Sequence, residues 1–89
     1  MTNEATSIIK ALLDAVYLHA PKGSVIDFSI DPDGLIIILL YVDCMVASLV
    51  PTVMLEKAAT DDKEIDELGR AYGNDLRLKL DKKQAENSV

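Results

Sequence analysis

The first part of the chain has a hydrophobic pattern that repeats every three to four residues, which is typical of an amphipathic helix. Apolar side chains in residues 3–20 form one broad stripe, and most charged ones lie opposite it. Asn3 or Thr6 can cap the first turn. Pro21 and Gly23 mark the end, because the residue before a proline disfavours the helical conformation. We therefore predict a helix over residues 3–20.

From residue 24 the pattern changes to strict alternation. Ile26, Phe28 and Ile30 alternate with polar side chains, which predicts a β-strand with one face in water. The next segment, from Asp31 to Gly34, has proline at the second position of a turn and glycine at the fourth, as in a type I turn. A hairpin at residues 31–34 would pair residues 24–31 with residues 35–42.

Residues 35–55 are almost continuously apolar, and two interpretations compete for them. An unbroken apolar strand over residues 35–42 is typical of a central strand that is covered on both faces. The stretch is also long enough to span a membrane as a helix. Asp43 near its centre would cost about 2.5 to 3.5 kcal/mol on insertion, and no Lys or Arg flanks its N-terminal edge. We favour the sheet strand and keep a small membrane protein, spanning with residues 35–55, as an alternative.

The boundary after Val42 is weakly marked, because no glycine turn follows the second strand. Residues 45–53 are predicted to form a third strand. Pro51 places that strand on an edge or marks its end, since proline cannot donate to the ladder. A helix over residues 44–50, capped by Asp43, is the alternative.

The last part of the chain predicts a second long helix. The segment from Asp61 to Glu64 resembles a capping box, and apolar side chains then recur at spacings of three and four. One helix over residues 62–83 explains this pattern, and its basic end complements the helix dipole. Residues 82–89 are expected to form a frayed tail. The alternative ends the helix at Gly73 and makes residues 75–81 a fourth strand.

Together these elements predict one α+β domain over residues 1–89. It has an N-terminal helix, an antiparallel sheet of three strands or four with a hairpin at 31–34, and a C-terminal helix packed on the sheet. If the helices cover one face, the middle strand presents either positions 36, 38 and 40 or positions 37, 39 and 41 outward. A monomer would not expose such a patch, so we expect a homodimer. The predicted interface residues are Ile36, Ile38, Leu40, Tyr72 and Leu76.

The charge of the chain restricts its partners. Its 89 residues carry 15 acidic and 9 basic side chains, a net charge of −6. This charge repels phosphate backbones and anionic membranes, so we expect no direct binding of nucleic acid. It attracts a basic protein, such as the nucleic-acid groove of an enzyme. The acids are concentrated in residues 56–67, and the contact residues predicted there are Asp61, Asp62, Glu64, Asp66 and Glu67.

Candidate catalytic residues are few. Cys44, beside Asp43 and with His19 elsewhere, has the residue types of thiol catalysis, but no spacing connects them. A single cysteine in an apolar run is typically a small buried hydrophobe. His19 at a helix end is explained by its interaction with the last carbonyls. We therefore expect no enzyme activity.

Candidate ligand-binding motifs are equally weak. The acids at positions 27, 31 and 33 are spaced somewhat like calcium ligands, but Pro32 and Ile38 stand where such a loop requires glycine and glutamate. Gly69 and Gly73 lack the further glycines and the lysine of a phosphate-binding loop. They fit helix packing at small residues or a helix end. We expect no metal and no cofactor.

These observations favour a small acidic protein-interaction module in the cytoplasm, since the chain has one cysteine and no signal-peptide pattern. It would inhibit or regulate a basic partner by occupying its surface. Small size, acidity and the lack of a catalytic set are also features of phage-encoded inhibitors of host defence and of secretion chaperones, a similarity of composition that involves no motif. A structural or assembly subunit, or a secretion-type chaperone that uses the hydrophobic sheet face, is the alternative.

Overall fold

The computed structural model describes the backbone of residues 3–87 and the side chains of residues 7–86. The three strands form an antiparallel sheet in the order β1-β2-β3, and the long helices pack on one face of it. This is the predicted α+β fold, with three strands in the described chain. The elements in chain order are α1 (Asn3–His19), β1 (Val25–Asp31), β2 (Gly34–Tyr41), β3 (Cys44–Pro51), α2 (Thr52–Ala58) and α3 (Asp62–Asn87).

The predicted hairpin at residues 31–34 is confirmed, and β1 pairs with β2 from Asp31↔Gly34 to Val25↔Leu40. The carboxylate of Asp31 accepts a hydrogen bond of 3.0 Å from the backbone N–H of Asp33, which holds the turn. A Cβ atom at Gly34 would lie 2.1 Å from the carbonyl oxygen of Val50 in β3. Glycine is therefore required by the close approach of two strands.

A two-residue loop joins β2 to β3, and Tyr41 pairs with Cys44 across it. The third strand is confirmed, and the alternative of a helix over residues 44–50 is wrong. Val42, the first loop residue, has a φ of +54°. A β-branched residue is strained in that conformation, and the sequence gives no glycine or asparagine there to relieve it.

The short helix α2 was not predicted, because its residues continue the apolar run and follow a proline. The backbone N–H of Thr52 donates a hydrogen bond of 3.2 Å to the carbonyl oxygen of Asp33, so α2 starts beside the first hairpin. Ala58 at its end is buried in the core. Helix α2 therefore covers the end of the core where β3 finishes.

Helix α3 includes residues 75–81, so the alternative of a fourth strand there is wrong. Leu76 and Leu80 are each 1% exposed, whereas Leu78 between them is 69% exposed, as helical geometry requires. The helix continues to Asn87, further than predicted, and residues 88–89 lie outside the described residues. At its start the carboxylate of Asp61 accepts a hydrogen bond of 3.0 Å from the backbone N–H of Lys63.

Helices α1 and α3 cross at small residues. A Cβ atom at Gly69 would lie 2.3 Å from Cβ of Ala15, and one at Gly73 would lie 2.7 Å from Cβ of His19. The glycine pair thus serves helix packing within a continuous helix, the first of the two interpretations that the sequence allowed. Between these helices and the sheet lies an aliphatic core, which includes Leu12, Val16, Leu35, Ile37, Leu39, Cys44, Val50, Leu68, Leu76 and Leu80.

Candidate interaction surfaces

The face of the sheet that points away from the helices is apolar. Leu35, Ile37 and Leu39 of β2 are at most 1% exposed and point into the core. Because successive side chains of a strand point to opposite faces, positions 36, 38 and 40 lie on the other side. The alternation in β2 therefore decides between the two sets of positions that the sequence left open.

Cross-strand pairs extend this surface over all three strands, because directly opposite residues of antiparallel strands share a face. Four of its side chains are well exposed, with values of 57% for Val25, 37% for Leu40, 56% for Met45 and 41% for Leu49. Nothing in the described chain covers it. We call this surface the outer sheet face; its three rows are Val25, Leu40 and Met45; Asp27, Ile38 and Ala47; and Ser29, Ile36 and Leu49.

The structure separates the predicted interface residues into two groups. Ile36 and Ile38 are half-buried and Leu40 is exposed, all three on the outer sheet face. Tyr72 lies on α3 beside β3 and is half-buried there. Leu76 is 1% exposed within the core of the chain, so its prediction as an interface residue is corrected: it has no surface to offer a second copy.

A polar cluster joins α3 to β3 on the helix side of the sheet. The ammonium group of Lys79 donates hydrogen bonds of 2.7 Å to Oγ of Ser48 and 3.0 Å to the carbonyl oxygen of Ala47. It also lies 3.2 Å from the carboxylate of Asp75, to which Ser48 donates its hydroxyl proton. Ser48 is buried, and the two charged side chains are about half exposed.

The electrostatics of this cluster favour a charged pair. The hydrogen bond from Ser48 lowers the pKa of Asp75 below its ordinary value, burial opposes that effect, and the hydrogen bond and charge of Lys79 lower the pKa further. Burial raises the pKa of the Tyr72 hydroxyl, and the negative charge of Asp75 raises it again. Tyr72 therefore keeps the proton that it donates to the carbonyl oxygen of Leu49, at a distance of 3.0 Å.

A serine beside a lysine is one of the arrangements that activate a nucleophile, but the lysine must then accept a proton. Lys79 has three donors and three acceptors within reach, which are Ala47, Ser48 and Asp75. Ser48 in turn donates its proton to the carboxylate rather than to the amine. The geometry is that of a clamp between helix and strand. Sequence reasoning missed it because its strand and helix residues are 27 to 32 positions apart.

The same helix closes the free edge of β3. In addition to Lys79 and Tyr72, Lys83 donates a hydrogen bond of 2.8 Å to the carbonyl oxygen of Met45. Three successive outward carbonyls of β3, those of Met45, Ala47 and Leu49, are thus satisfied by side chains of α3. An edge covered in this way cannot pair with another strand.

The predicted acidic contact residues lie at one end of the molecule. Since Tyr72 contacts Leu49 and Lys83 contacts Met45, α3 runs antiparallel to β3 and begins at the Pro51 end of that strand. The first hairpin is at the same end, because Gly34 pairs with Pro51. All five predicted residues are exposed or half-buried there; they are Asp61, Asp62, Glu64, Asp66 and Glu67.

This placement gives the molecule two charged ends. The acidic end comprises the start of α3, the end of α2 and the hairpin acids Asp31 and Asp33. The basic end is the last part of α3, where Arg77, Lys79, Lys82 and Lys83 outnumber Asp81 and Glu86. The principal extent of the molecule is 44 Å, so the charge asymmetry of the sequence becomes a separation in space. Asp61 also caps α3, so part of the acidic cluster has a structural role.

A further apolar surface lies between α1 and β1 and was not found from the sequence. It is a groove of about 520 Å³ that residues from both elements line. Phe28 and Ile30, on the helix side of β1, are 40% and 57% exposed, because α1 packs mainly on α3 and leaves this strand half covered. We call it the α1–β1 groove; its apolar lining includes Ile9, Leu13, Tyr17, Ile26 and Phe28.

The other candidate residues are dispersed. Cys44 is 7% exposed at the start of β3, within the core cluster, whereas His19 lies against Gly73 at the end of α1. Among the described residues, no three His, Cys, Asp or Glu side chains are grouped so that they could hold a metal ion. None of the helices in residues 3–87 is both long and apolar enough to cross a membrane, and residues 35–55 form β2, β3 and the start of α2.

Comparisons with known proteins give no relative for this chain: no family model, no curated protein and no solved structure matches it.

Proposed function

We propose that this chain is a small acidic protein-interaction module of the cytoplasm, which acts as a homodimer and inhibits or regulates a basic partner protein by occupying its surface. The outer sheet face is the observation that carries the proposal. Seven of its nine positions are apolar, in three aligned rows with Ile38 at the centre. Continuous apolar surfaces of this kind mark interaction sites.

A second copy of the chain fits this face. Two sheets that pack face to face are about 10 Å apart and bury a layer of interdigitating side chains, for which Leu40, Met45 and Leu49 are suited. A two-fold axis that lies in the interface and crosses the strands places the acidic end of each copy near the basic end of the other. The charge separation within one chain thus favours an antiparallel dimer over a parallel one.

The partner would be bound by the acidic end. The carboxylates near the start of α3 and those of the hairpin, Asp31 and Asp33, share one end of the molecule and are mostly exposed. Such a concentration of like charge accelerates and orients the approach of a basic surface. In an antiparallel dimer the two acidic ends are far apart, so each copy has its own site.

The outer sheet face also supports a second function, that of an assembly subunit or secretion-type chaperone. In that case the apolar face binds a different protein, and the acids serve solubility. The two functions differ in the effect that neutralising the carboxylates of the acidic end has on binding. Neutralising the acidic end weakens the binding of a basic partner in the first case. In both cases assembly through the apolar outer sheet face persists.

The dimer is tested by sedimentation equilibrium of the purified protein and of two variants. Leu40→Asp puts a charge on the outer sheet face, and Leu78→Asp puts the same charge on an exposed leucine of α3 away from the sheet. We expect dimers for the wild type and for Leu78→Asp, and monomers for Leu40→Asp. A wild-type protein that stays monomeric at about 200 µM, or a Leu40→Asp variant that still dimerises, would contradict the proposal.

The acidic end is tested with a basic probe, a lysine homopolymer of about twenty residues, added to the isotope-labelled protein at about 50 mM and about 500 mM salt. NMR shift changes are expected at residues 61–67 and in the hairpin, and they should fade at high salt. A variant with Asp62→Asn, Glu64→Gln, Asp66→Asn and Glu67→Gln keeps the cap at Asp61 and should lose the response at residues 61–67. Changes elsewhere on the molecule, or changes that salt does not affect, would refute this part.

A further inference from the structure

One edge of the sheet is covered by side chains of α3, and the other edge is open. The edge of β3 is closed by Tyr72, Lys79 and Lys83, which donate to its outward carbonyls. No element of the described chain lies along the edge of β1. An uncovered edge strand presents a row of backbone donors and acceptors to which another strand can pair.

The register of the hairpin identifies these groups. The residues that close a two-residue hairpin loop bond to each other, and Asp31 and Gly34 hold these positions. Odd positions of β1 therefore bond to β2, and the N–H and C=O groups of Ile26, Phe28 and Ile30 point to the open edge. The N–H of Phe28 confirms this, since it donates a hydrogen bond of 2.8 Å to the neighbouring carboxylate of Asp27 instead of to β2.

The side chains of the same three residues point to the helix side of the sheet, where the α1–β1 groove runs. Ile26 is half-buried, and Phe28 is 40% exposed beside a groove of about 520 Å³. A volume of about 520 Å³ has room for apolar side chains from a strand that pairs with β1. Open backbone groups and an apolar groove thus lie along the same strand.

We propose that the β1 edge and the α1–β1 groove bind an extended segment of the partner protein, which adds a fourth strand to the sheet and alternates apolar side chains toward the groove with basic side chains. The proposal rests on the proposed function for the charge of the partner and adds the site and the form of its segment. Strand addition of this kind gains affinity from main-chain hydrogen bonds and specificity from alternate side chains.

The chemistry of the segment follows from what faces it. Residues directly opposite across a strand pair share a face, so the partners of Ile26 and Phe28 face the groove and should be apolar. The partner of Ile30 lies on the same side of the sheet, beside another exposed apolar side chain. Partners of the odd positions face the side of Asp27, and Asp31 and Asp33 continue the negative charge to the hairpin. The intervening side chains should therefore be Lys or Arg.

Charge also argues against a second copy of this chain as the occupant. A two-fold pairing of β1 with itself would bring Asp27 and Asp31 of one copy close to the same residues of the other. Like charges on paired strands are destabilising. The carboxylate of Asp27 accepts a hydrogen bond from the N–H of Phe28. The carbonyl group of an incoming strand must replace it there, and a basic side chain of that strand then gives the carboxylate a new partner.

The test uses a seven-residue peptide with blocked ends that alternates lysine and valine, added to the isotope-labelled full chain. We expect NMR shift changes at Ile26, Phe28 and Ile30 and along α1, together with slower hydrogen exchange of these three amides. A lysine and serine peptide of the same charge should bind about tenfold more weakly or not at all, since it cannot fill the groove. A glutamate and valine peptide should be weakened by a similar factor.

Backbone methylation makes the test specific for strand addition. If the segment pairs antiparallel, like the other strands of this sheet, the valines lie opposite the residues with open backbone groups. Their own N–H groups then bond to β1, whereas the lysine N–H groups point away. N-methylation of the valines should abolish binding, and N-methylation of the lysines should leave it within about threefold. Equal binding of both methylated peptides, or no binding of the parent peptide, would overturn the proposal.

Two variants of equal exposure locate the site on the protein. Phe28→Ala, at 40% exposure in the groove, should weaken the binding of the lysine and valine peptide about tenfold, whereas Leu49→Ala, at 41% exposure on the outer sheet face, should leave it unchanged. The monomeric Leu40→Asp variant should still bind the peptide. A Leu40→Asp variant that no longer dimerises but still binds the peptide would show that the peptide site and the dimer interface are independent. Pairing of β1 between two copies in the free protein would refute the proposed peptide site.

Discussion

Gly69 of α3 faces Ala15 of α1 with no room for a methyl group between them. A Cβ atom added to Gly69 would lie 2.3 Å from Cβ of Ala15 and 3.1 Å from its carbonyl carbon. Glycine weakens an exposed helix position by about 1 kcal/mol relative to alanine, so its use here is explained by contact between the helices. The backbones of α1 and α3 approach at the cost of local helix propensity.

We therefore expect Gly69→Ala to destabilise the protein by about 1 to 3 kcal/mol, because the added methyl group forces the helices apart. The measurement is urea denaturation. Ala71→Gly, at an exposed site of the same helix, is the control and should cost about 1 kcal/mol from propensity alone. Ala15→Gly combined with Gly69→Ala should recover part of the loss. A Gly69→Ala variant that is more stable than wild type would mean that the helices do not meet there.

Strain at Val42 gives a prediction of the opposite sign. Its φ of +54° is unfavourable for a β-branched residue, and its side chain is 79% exposed, so little packing is lost when it is removed. Val42→Gly should raise the free energy of unfolding by about 1 kcal/mol. Val53→Gly removes a similarly exposed valine, at 69%, from helix α2, and should lower stability instead. Equal changes in both variants would argue against strain in the loop.

A comparison of this loop with the turn at residues 31–34 explains why some element boundaries could be predicted from the sequence and others could not. The turn at residues 31–34 has proline and glycine at the positions its geometry requires, so its location could be read from the residues. The loop at Val42 has neither, and its strain is compensated by the pairing of two apolar strands. Helix α2 is seven residues long and continues the apolar run only as far as Leu55, so it is too short for a helical period to stand out from the preceding strand.

The candidate surfaces were predicted only in part, for a related reason. The middle strand is apolar on both faces, and only the packing of the helices decides that Ile37 points inward and Ile38 outward. Leu76 and Tyr72 lie on one helical stripe, but the first enters the core and the second reaches the edge of β3. The α1–β1 groove depends on where α1 lies relative to the sheet, which residue spacing does not determine.

The clamp between α3 and β3 should contribute to the free energy of unfolding although its charged side chains are about half exposed. Lys79→Met removes donors from the carbonyl of Ala47, from Ser48 and from Asp75. We expect a loss of about 1 kcal/mol, since the Lys79 side chain is 46% exposed and water replaces part of the interaction. Lys82→Met, at an exposed position of the same helix, is the control and should have little effect. Urea denaturation compares them, and equal stabilities would show that the clamp contributes nothing.

The low pKa of Asp75 predicts a pH-dependent contribution to stability. The hydrogen bond from Ser48 and the charge of Lys79 favour the carboxylate in the folded state. That stability is present above the ordinary aspartate pKa of about 3.9 and is lost as the pH falls through the lower folded-state value. Since the Asp75 side chain is 48% exposed, the contribution is below about 1 kcal/mol.

Unfolding of the wild type and of Asp75→Asn, followed between neutral and acidic pH, checks this sign. The wild type should be the more stable protein at neutral pH, and the difference should shrink below about pH 4. Ser48→Ala removes the main cause of the low pKa and should reduce the same difference. If the difference in unfolding free energy between wild type and Asp75→Asn does not change with pH, the lowered pKa of Asp75 is contradicted.

Adjacent residues of β2 should respond differently to the same substitution. Ile37 is 0% exposed in the core, so Ile37→Ala should cost about 2 to 5 kcal/mol at any protein concentration. Ile38 is half-buried at the centre of the outer sheet face, and Ile38→Ala should cost the single chain less, because fewer of its contacts are internal. Its main effect should be on the dimer, whose stability depends on protein concentration. Thermal unfolding of the wild type and of both variants, at about 5 µM and about 200 µM protein, separates these effects. The midpoint should rise with concentration for wild type and for Ile37→Ala, and should rise less for Ile38→Ala. If the unfolding midpoint of the wild type does not change with protein concentration, the proposed dimer through the outer sheet face is wrong.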